Sequence, residues 1–415
     1  MLKANALALE RLTAADPVLV DVKPAYEVLE GLTPTTFLHA GPPIAFEDMC
    51  APMQGAVYCA LLNEGIAKTV EEAKVMAVDG TVTYAPCHGY GAVGPMTGLT
   101  TWSMPLWVVE DRATGRRSYA NISEGVGVGL RFGEYGQKTL ERLAWMREYL
   151  GPLLSRLLRE AGGIDLAPMM AQGLAMGDEL HMRNHAGTAL FVKNYAWLIA
   201  KLAGDQAERV LKFIGVGHDQ FFLNIAMAAN KLAADLADGV PGSTMVTAIA
   251  RNGVEVGIRI SGLPGRWFTA PAPLVKGLYF PGYTEEEDAN PDLGDSAIME
   301  VNGFGGFAMA AAPAIVRLIG IPDTDEAFAF TQLMRTITVG EHQKYTIPGQ
   351  NFAGLPLGID IMKVVETGTE PGLNTAIASK VPGVGMIGAG LSRVPFKAFA
   401  DALVAFDEAL RSEGK

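Results

Sequence analysis

Two segments of this 415-residue chain gather side chains suited to proton transfer and anion binding. The first is Asp178-Glu179-Leu180-His181-Met182-Arg183-Asn184-His185. Wound as a helix, it would set Asp178, His181 and His185 on one stripe. Two imidazoles at that spacing could hold a metal, and the competing readings are a polar face turned to a substrate or to solvent. Zincins need Glu directly after the first His, and Met182 stands there, so no metal is assigned. The second segment runs from Pro86 through Cys87, His88 and Gly89 to Gly98, after an expected strand at 81–84. Its glycines would bare backbone amides beside His88, which suits an anion and a proton transfer. Loop geometry alone is the other explanation for those glycines.

Two more loops carry charge. Asn121-Ile122-Ser123-Glu124-Gly125 through Arg131 offers Glu124 and Arg131 on glycine-rich backbone, where Arg131 either forks onto a phosphate or pairs with Glu124 or Glu134. Asp288-Ala289-Asn290-Pro291-Asp292-Leu293-Gly294-Asp295-Ser296 alternates oxygen side chains but misses the calcium-loop register, with Leu293 in the glycine place and Met299 in that of the bidentate Glu. Capping carboxylates are the default there, and a substrate or Mg²⁺ loop is the competitor. Residues 383–388 match G-x-G-x-x-G, but Pro382 precedes them and Pro395 breaks the helix that should follow, so a turn or substrate-facing loop is expected. Neither a P-loop nor a G-x-S-x-G elbow is present.

The elements that must position these residues read as α+β. An amphipathic N-terminal helix, a strand from Pro17 to Val22, a capping box at Thr69–Glu72 and a hairpin over 105–122 fill the first part. Apolar spacing of 3.6 residues over 139–149 and 224–236, with Pro152 at a first helical turn, marks a helical block. A hairpin closed by Asn252-Gly253 spans 244–261. Helical stretches at 306–319 and 323–337 and a closing helix at 396–411 follow. The expected division is an N-terminal α/β domain at 1–135, a helical domain at 136–240 and a C-terminal α+β domain at 241–415. With 33 basic against 45 acidic residues, the net charge of −12 has the wrong sign for nucleic acid or anionic membrane. Three cysteines with no C-x-x-C pair fit a reducing cytoplasm. The N-terminus lacks a signal-peptide core, and the apolar stretch 304–321 is too interrupted to span a bilayer.

These segments together resemble the YlbE/YahG-like bacterial family, encoded near FdrA-type proteins. The resemblance rests on LHAGPPIAFEDM, PCHGYGAVGPMTG, EGVGVGLRFG, MGDELHMRN, FFLNIAMAANK, RNGVEVGIRISG, DANPDLGDSAIMEVNGFGGFAMAAAPAIV, PLGIDIMKVVETG and NTAIASKVPGVGMIGAG, in order from about residue 38 to 391. It also includes Gly217-His218-Asp219-Gln220-Phe221-Phe222-Leu223-Asn224. It implies a small helical domain beside two α/β parts. It further implies oxamate carbamoyltransferase activity, which interconverts oxamate plus carbamoyl phosphate with oxalurate plus phosphate in allantoin breakdown. The partners implied are an FdrA-like protein and a third small subunit, in an oligomer. Carbamoyl transfer builds a tetrahedral oxyanion and expels phosphate, so it needs cations or N–H donors and help for a weakly nucleophilic amide. On this basis His88, Asp178 and His181 are expected to be catalytic. Arg131, Glu124, Asn184, Asn224, Asp288, Asn290, Asp292 and Asp295 are expected to bind substrate, the last four directly or through Mg²⁺, and Cys87 is an alternative nucleophile. A metal-assisted amide or ureido hydrolase, or a non-catalytic subunit, are the alternatives. His88, Arg131 and the 178–184 segment are expected to line one cleft.

Overall fold

A computed structural model describes residues 1–413, the side chain of Glu413 aside, as a mixture of helices and several small sheets. The α+β class expected from the sequence holds. The largest sheet orders its strands Ala92–Val93, Arg117–Asn121, Pro105–Asp111, Pro17–Pro24, Ile164–Asp165. Only its first pair is parallel. The expected hairpin is its middle, with Leu106 opposite Asn121. Half of the capping box forms: the Thr69 hydroxyl accepts from the Glu72 amide, while the Glu72 carboxylate reaches one residue past the cap to accept from the Lys68 amide.

The helical block is real and unusually apolar at its centre. In the helix Phe221–Ala237 almost every residue is buried, because one face lies on the hairpin strands and another on the short helix Ile298–Val301. Its buried polar side chains, Asn224, Asn230, Lys231 and Asp235, are each hydrogen-bonded, as burial on all sides requires. The second hairpin pairs Val246–Asn252 with Glu255–Ile260. Its turn is closed by the Asn252 side chain, whose Oδ1 accepts from the Val254 and Glu255 amides, while Gly253 takes φ +80°. Among the described residues no helix is long and apolar enough to cross a membrane.

Two expected helices are absent. Residues 178–184 form a loop, and the helix starts at His185, because the Asp178 carboxylate accepts from the Gly187 amide and so ends the preceding chain as a cap. The stripe of Asp178, His181 and His185 therefore does not form. The stretch 306–319 is a 3₁₀ turn, Gly305–Ala311, followed by turns, since Gly305-Gly306 and Pro313 leave no uninterrupted run for an α-helix. The helix after it runs Thr324–Arg335 with Asp323 as its cap.

Candidate functional site

The loop 178–184 is held in an uncommon shape. Leu180 takes φ +63°, a left-handed conformation that is costly for a bulky residue. The buried Glu179 carboxylate holds it there by accepting from the His181 and Arg183 amides, each at 2.7 Å. The consequence is that His181, Met182 and Arg183 point into a cleft of about 550 Å³. Burial, offset in part by those two amides, pushes Glu179 up to about 8.

Across the loop, Glu300 fixes His181. The imidazole Nδ1 lies 2.7 and 2.9 Å from the two carboxylate oxygens. The Glu300 Oε1 also accepts from the Gly306 and Asn374 amides, so Glu300 acts as an acceptor and His181 donates from Nδ1. Nε2 then faces the cleft, with no partner among the described residues. This pair needs Gly305, at φ +57°, since a Cβ there would lie 2.0 Å from Glu300 Oε1 and 3.0 Å from the His181 Cβ.

The opposite wall is the loop 123–129. Both Glu124 carboxylate oxygens are spent on the Leu130 and Arg131 amides, and a Cβ at Gly129 would collide with that carboxylate. Arg131 wraps back so that Nη2 donates to the Gly125 and Gly127 carbonyls. Its Nη1 is buried with no hydrogen-bond partner, 4.0 Å from Glu124. Among the described residues the amides of 125–129 donate to no protein acceptor, and Gly125 to Val128 line the cleft. Free amides beside a guanidinium make a surface for anions.

The floor joins this loop to the start of the helix Phe221–Ala237. The Ser123 hydroxyl lies 2.8 Å from His218 Nε2, and His218 Nδ1 lies 3.1 Å from the Phe213 carbonyl. Burial, reinforced by the Arg131 charge, lowers His218 to about 4 and keeps it neutral. One turn into the helix, Asn224 Nδ2 donates to the backbone and side-chain oxygens of Asn121. At the mouth His185 Nδ1 meets Asp219, both exposed. Arg183 is ion-paired through Nε with the buried Asp178 at 3.3 Å.

Of the site residues named from sequence, His181, Arg131 and Asn224 line the cleft. Glu124, Asp178 and Asn184 stand behind it: Asn184 Nδ2 donates to the His181 carbonyl, and burial raises Asp178. His88 is elsewhere, corrected from cleft to core: it is wholly buried, edge-on to Trp267, with both ring nitrogens unpartnered. Burial, with Lys231 and Arg259 nearby, holds it well below 6.5. Asp295, 3.7 Å from His88, accepts from the Gly41 and Gly94 amides, and burial pushes it up to about 7. Asp292 sits 3.0 Å from the buried Arg251 Nε, Asn290 bonds to the Pro291 carbonyl, and Asp288 is an exposed partner of the Thr284 amide. The acidic loop is thus a set of capping and pairing groups outside the cleft, although the following Ser296 lines it. Cys87 is buried against the Gly98 carbonyl and raised well above 9, the wrong direction for a nucleophile. Among the described residues no group of three or more His, Cys, Asp or Glu is arranged to hold a metal ion.

Arg183, Ser123 and His218 stand in segments the sequence singled out but received no role of their own, and Glu300 was passed over. Glu300 carried a signal, a lone acid within Ile298-Met299-Glu300-Val301, where a buried charge requires a partner.

An oriented histidine, two arginines and loop amides without protein acceptors among the described residues thus share one largely apolar cleft in an α+β protein. The family described as oxamate carbamoyltransferase subunit AllG matches residues 82–296. Over 98% of this chain, 46% of residues are identical to oxamate carbamoyltransferase subunit AllG of Escherichia coli strain K12, and 98% of that protein is covered. Uncharacterized protein YahG of the same strain is 47% identical over 98% of this chain and 86% of its own length. The crystal structure of a conserved protein of unknown function from Enterococcus faecalis V583 superposes with a TM-score of 0.95 at 45% identity, covering 98% of this chain and 97% of that one. This chain belongs to the AllG family.

Proposed function

We propose that this chain is a subunit of a carbamoyltransferase that moves a carbamoyl group between phosphate and the amide nitrogen of oxamate or a close relative. The subunit named in the AllG relative supports assembly with other chains, for which an FdrA-like protein and a third small subunit are the proposed partners. The observation that carries the chemistry is the His181–Glu300 pair opening onto the same cleft as Arg131, Arg183 and the amides of 125–129.

The loop amides of 125–129 take the phosphate of carbamoyl phosphate, with the Arg131 charge close behind them, while Arg183 takes the acceptor's carboxylate. The acceptor nitrogen attacks the carbamoyl carbon, so an N–C bond forms as the C–O bond to phosphate breaks. His181 Nε2 accepts the proton that nitrogen loses and passes it to the departing phosphate. Glu300 holds the imidazole in the tautomer that leaves Nε2 free and stabilises the imidazolium that forms. The test is phosphorolysis of oxalurate and carbamoylation of oxamate, measured with the purified chain alone and with its co-expressed partners. Activity that disappears in His181→Ala supports the assignment. Full activity in that variant, or no turnover with partners present, overturns it.

A further inference from the structure

The cleft floor is built from two hydrogen-bond clamps: Asn121, at the end of the strand Arg117–Asn121, to Asn224 in the first turn of the helix Phe221–Ala237, and Ser123, just after the strand, to His218, just before the helix. Each clamp uses up its donors. Only an N–H can meet the Phe213 carbonyl, so His218 carries its proton on Nδ1 and presents a lone pair at Nε2. The Ser123 hydroxyl, 2.8 Å away, must donate into that lone pair. What remains on Ser123 Oγ is acceptor capacity alone. Asn224 reaches the same condition by another route: both Nδ2 hydrogens are taken by Asn121, and its Oδ1 has no partner among the described residues. Both side chains line the cleft.

We propose that Ser123 Oγ and Asn224 Oδ1 form a subsite that reads a primary amide, –C(=O)–NH₂, on an anionic substrate, and so reject the isosteric methyl compound. This rests on the carbamoyltransferase reading, under which donor and acceptor each carry that group. A pair of acceptors with fixed proton positions accepts two N–H bonds and offers nothing to a methyl, which would strand both lone pairs. The cations of the walls bind phosphate or carboxylate without regard to this difference.

Calorimetry on the full chain with four ligands separates the sources: carbamoyl phosphate against acetyl phosphate, and oxamate against pyruvate, with inorganic phosphate as reference. The expected result is a preference of about tenfold or more for the amide member of at least one pair, and the pair showing it identifies which substrate the subsite holds. Ser123→Ala should bring that preference down severalfold while phosphate affinity stays as in the wild type. Equal binding within both pairs, or a preference that survives both Ser123→Ala and Asn224→Asp, overturns the subsite and leaves the transferase reading standing. Absence of binding by all five ligands removes both.

Discussion

His181 has one ring nitrogen tied to a buried carboxylate and the other open to the cleft, and this asymmetry is what makes it usable. Glu300→Gln keeps an oxygen for the Gly306 and Asn374 amides but presents an amide that can turn either its oxygen or its nitrogen to His181. Loss of oriented acid–base catalysis is worth roughly 10²–10⁴-fold. We expect kcat to fall by about two decades or more in Glu300→Gln, with a melting temperature near that of the wild type. Unchanged turnover would reduce the pair to a structural ion contact. Arg131 allows a similar separation. Its Nη2 closes the loop on two carbonyls while Nη1 is left over. Arg131→Lys and Arg131→Ala should both weaken inhibition by phosphate, the alanine variant by about one to two decades, since it removes the charge behind the loop amides and a hydrogen bond to a charged group is worth roughly 1.5–3 kcal/mol. An arginine that served only the loop would give a lower melting temperature in both variants with phosphate inhibition intact.

At the scale of elements, the strands and long helices were legible because their signals are local: the Thr69 box, the Asn252 turn and the 3.6-residue spacing within 224–236 each specify a few neighbouring residues. The site was legible only in part. His181, Arg131 and Asn224 stand in conspicuous polar or glycine-rich segments. His88 stood in one too, yet its glycines pack the chain: a Cβ at Gly94 would meet Gly98 at 2.6 Å, and one at Gly98 would meet Ala40 at 2.7 Å. Glu300 lies 119 residues from the histidine it orients, and no spacing rule spans that interval. The helix expected over 178–185 failed for the same reason, because carboxylate bonds from Glu179 and Asp178 replace the helical ladder. Gly305 shows how these distant parts are joined. Gly305→Ala must accept a left-handed backbone, costing about 1–2 kcal/mol, and must displace Glu300. We expect a lower melting point together with a loss of turnover comparable to that of Glu300→Gln. A variant that melts early but turns over normally below its transition would show that His181 does not depend on this packing.

For the whole molecule, burial of titratable groups sets a stability curve with two flanks. Burial holds His39, His218 and His342 at about 4, each below the 6.5 of a free imidazole. The unfolded chain therefore takes up protons that the fold refuses. This contribution is complete above pH 6.5 and is lost as pH falls from 6.5 through 4. Glu179 at about 8 and Asp295 at about 7 act in the opposite sense, because burial favours their protonated forms in the fold. Their unfolded counterparts release protons near pH 4, so the fold loses stability as pH rises from about 4 through 8. The two effects oppose each other over the acid range, where four lowered histidines, His88 included, outnumber three raised carboxyls, Asp178 included. Above pH 6.5 only the carboxyl term remains. We expect the melting temperature to peak between about pH 6 and 7 and to decline on both sides of it. Asp295→Asn isolates one arm: the neutral amide removes the titration, so the decline between pH 6 and 8 should become shallower while the acid flank, having lost one opposing carboxyl, becomes steeper. An alkaline decline of equal slope in that variant would mean that Asp295 is already ionised in the fold, held by the Gly41 and Gly94 amides and the charge of Arg251 against the cost of its burial.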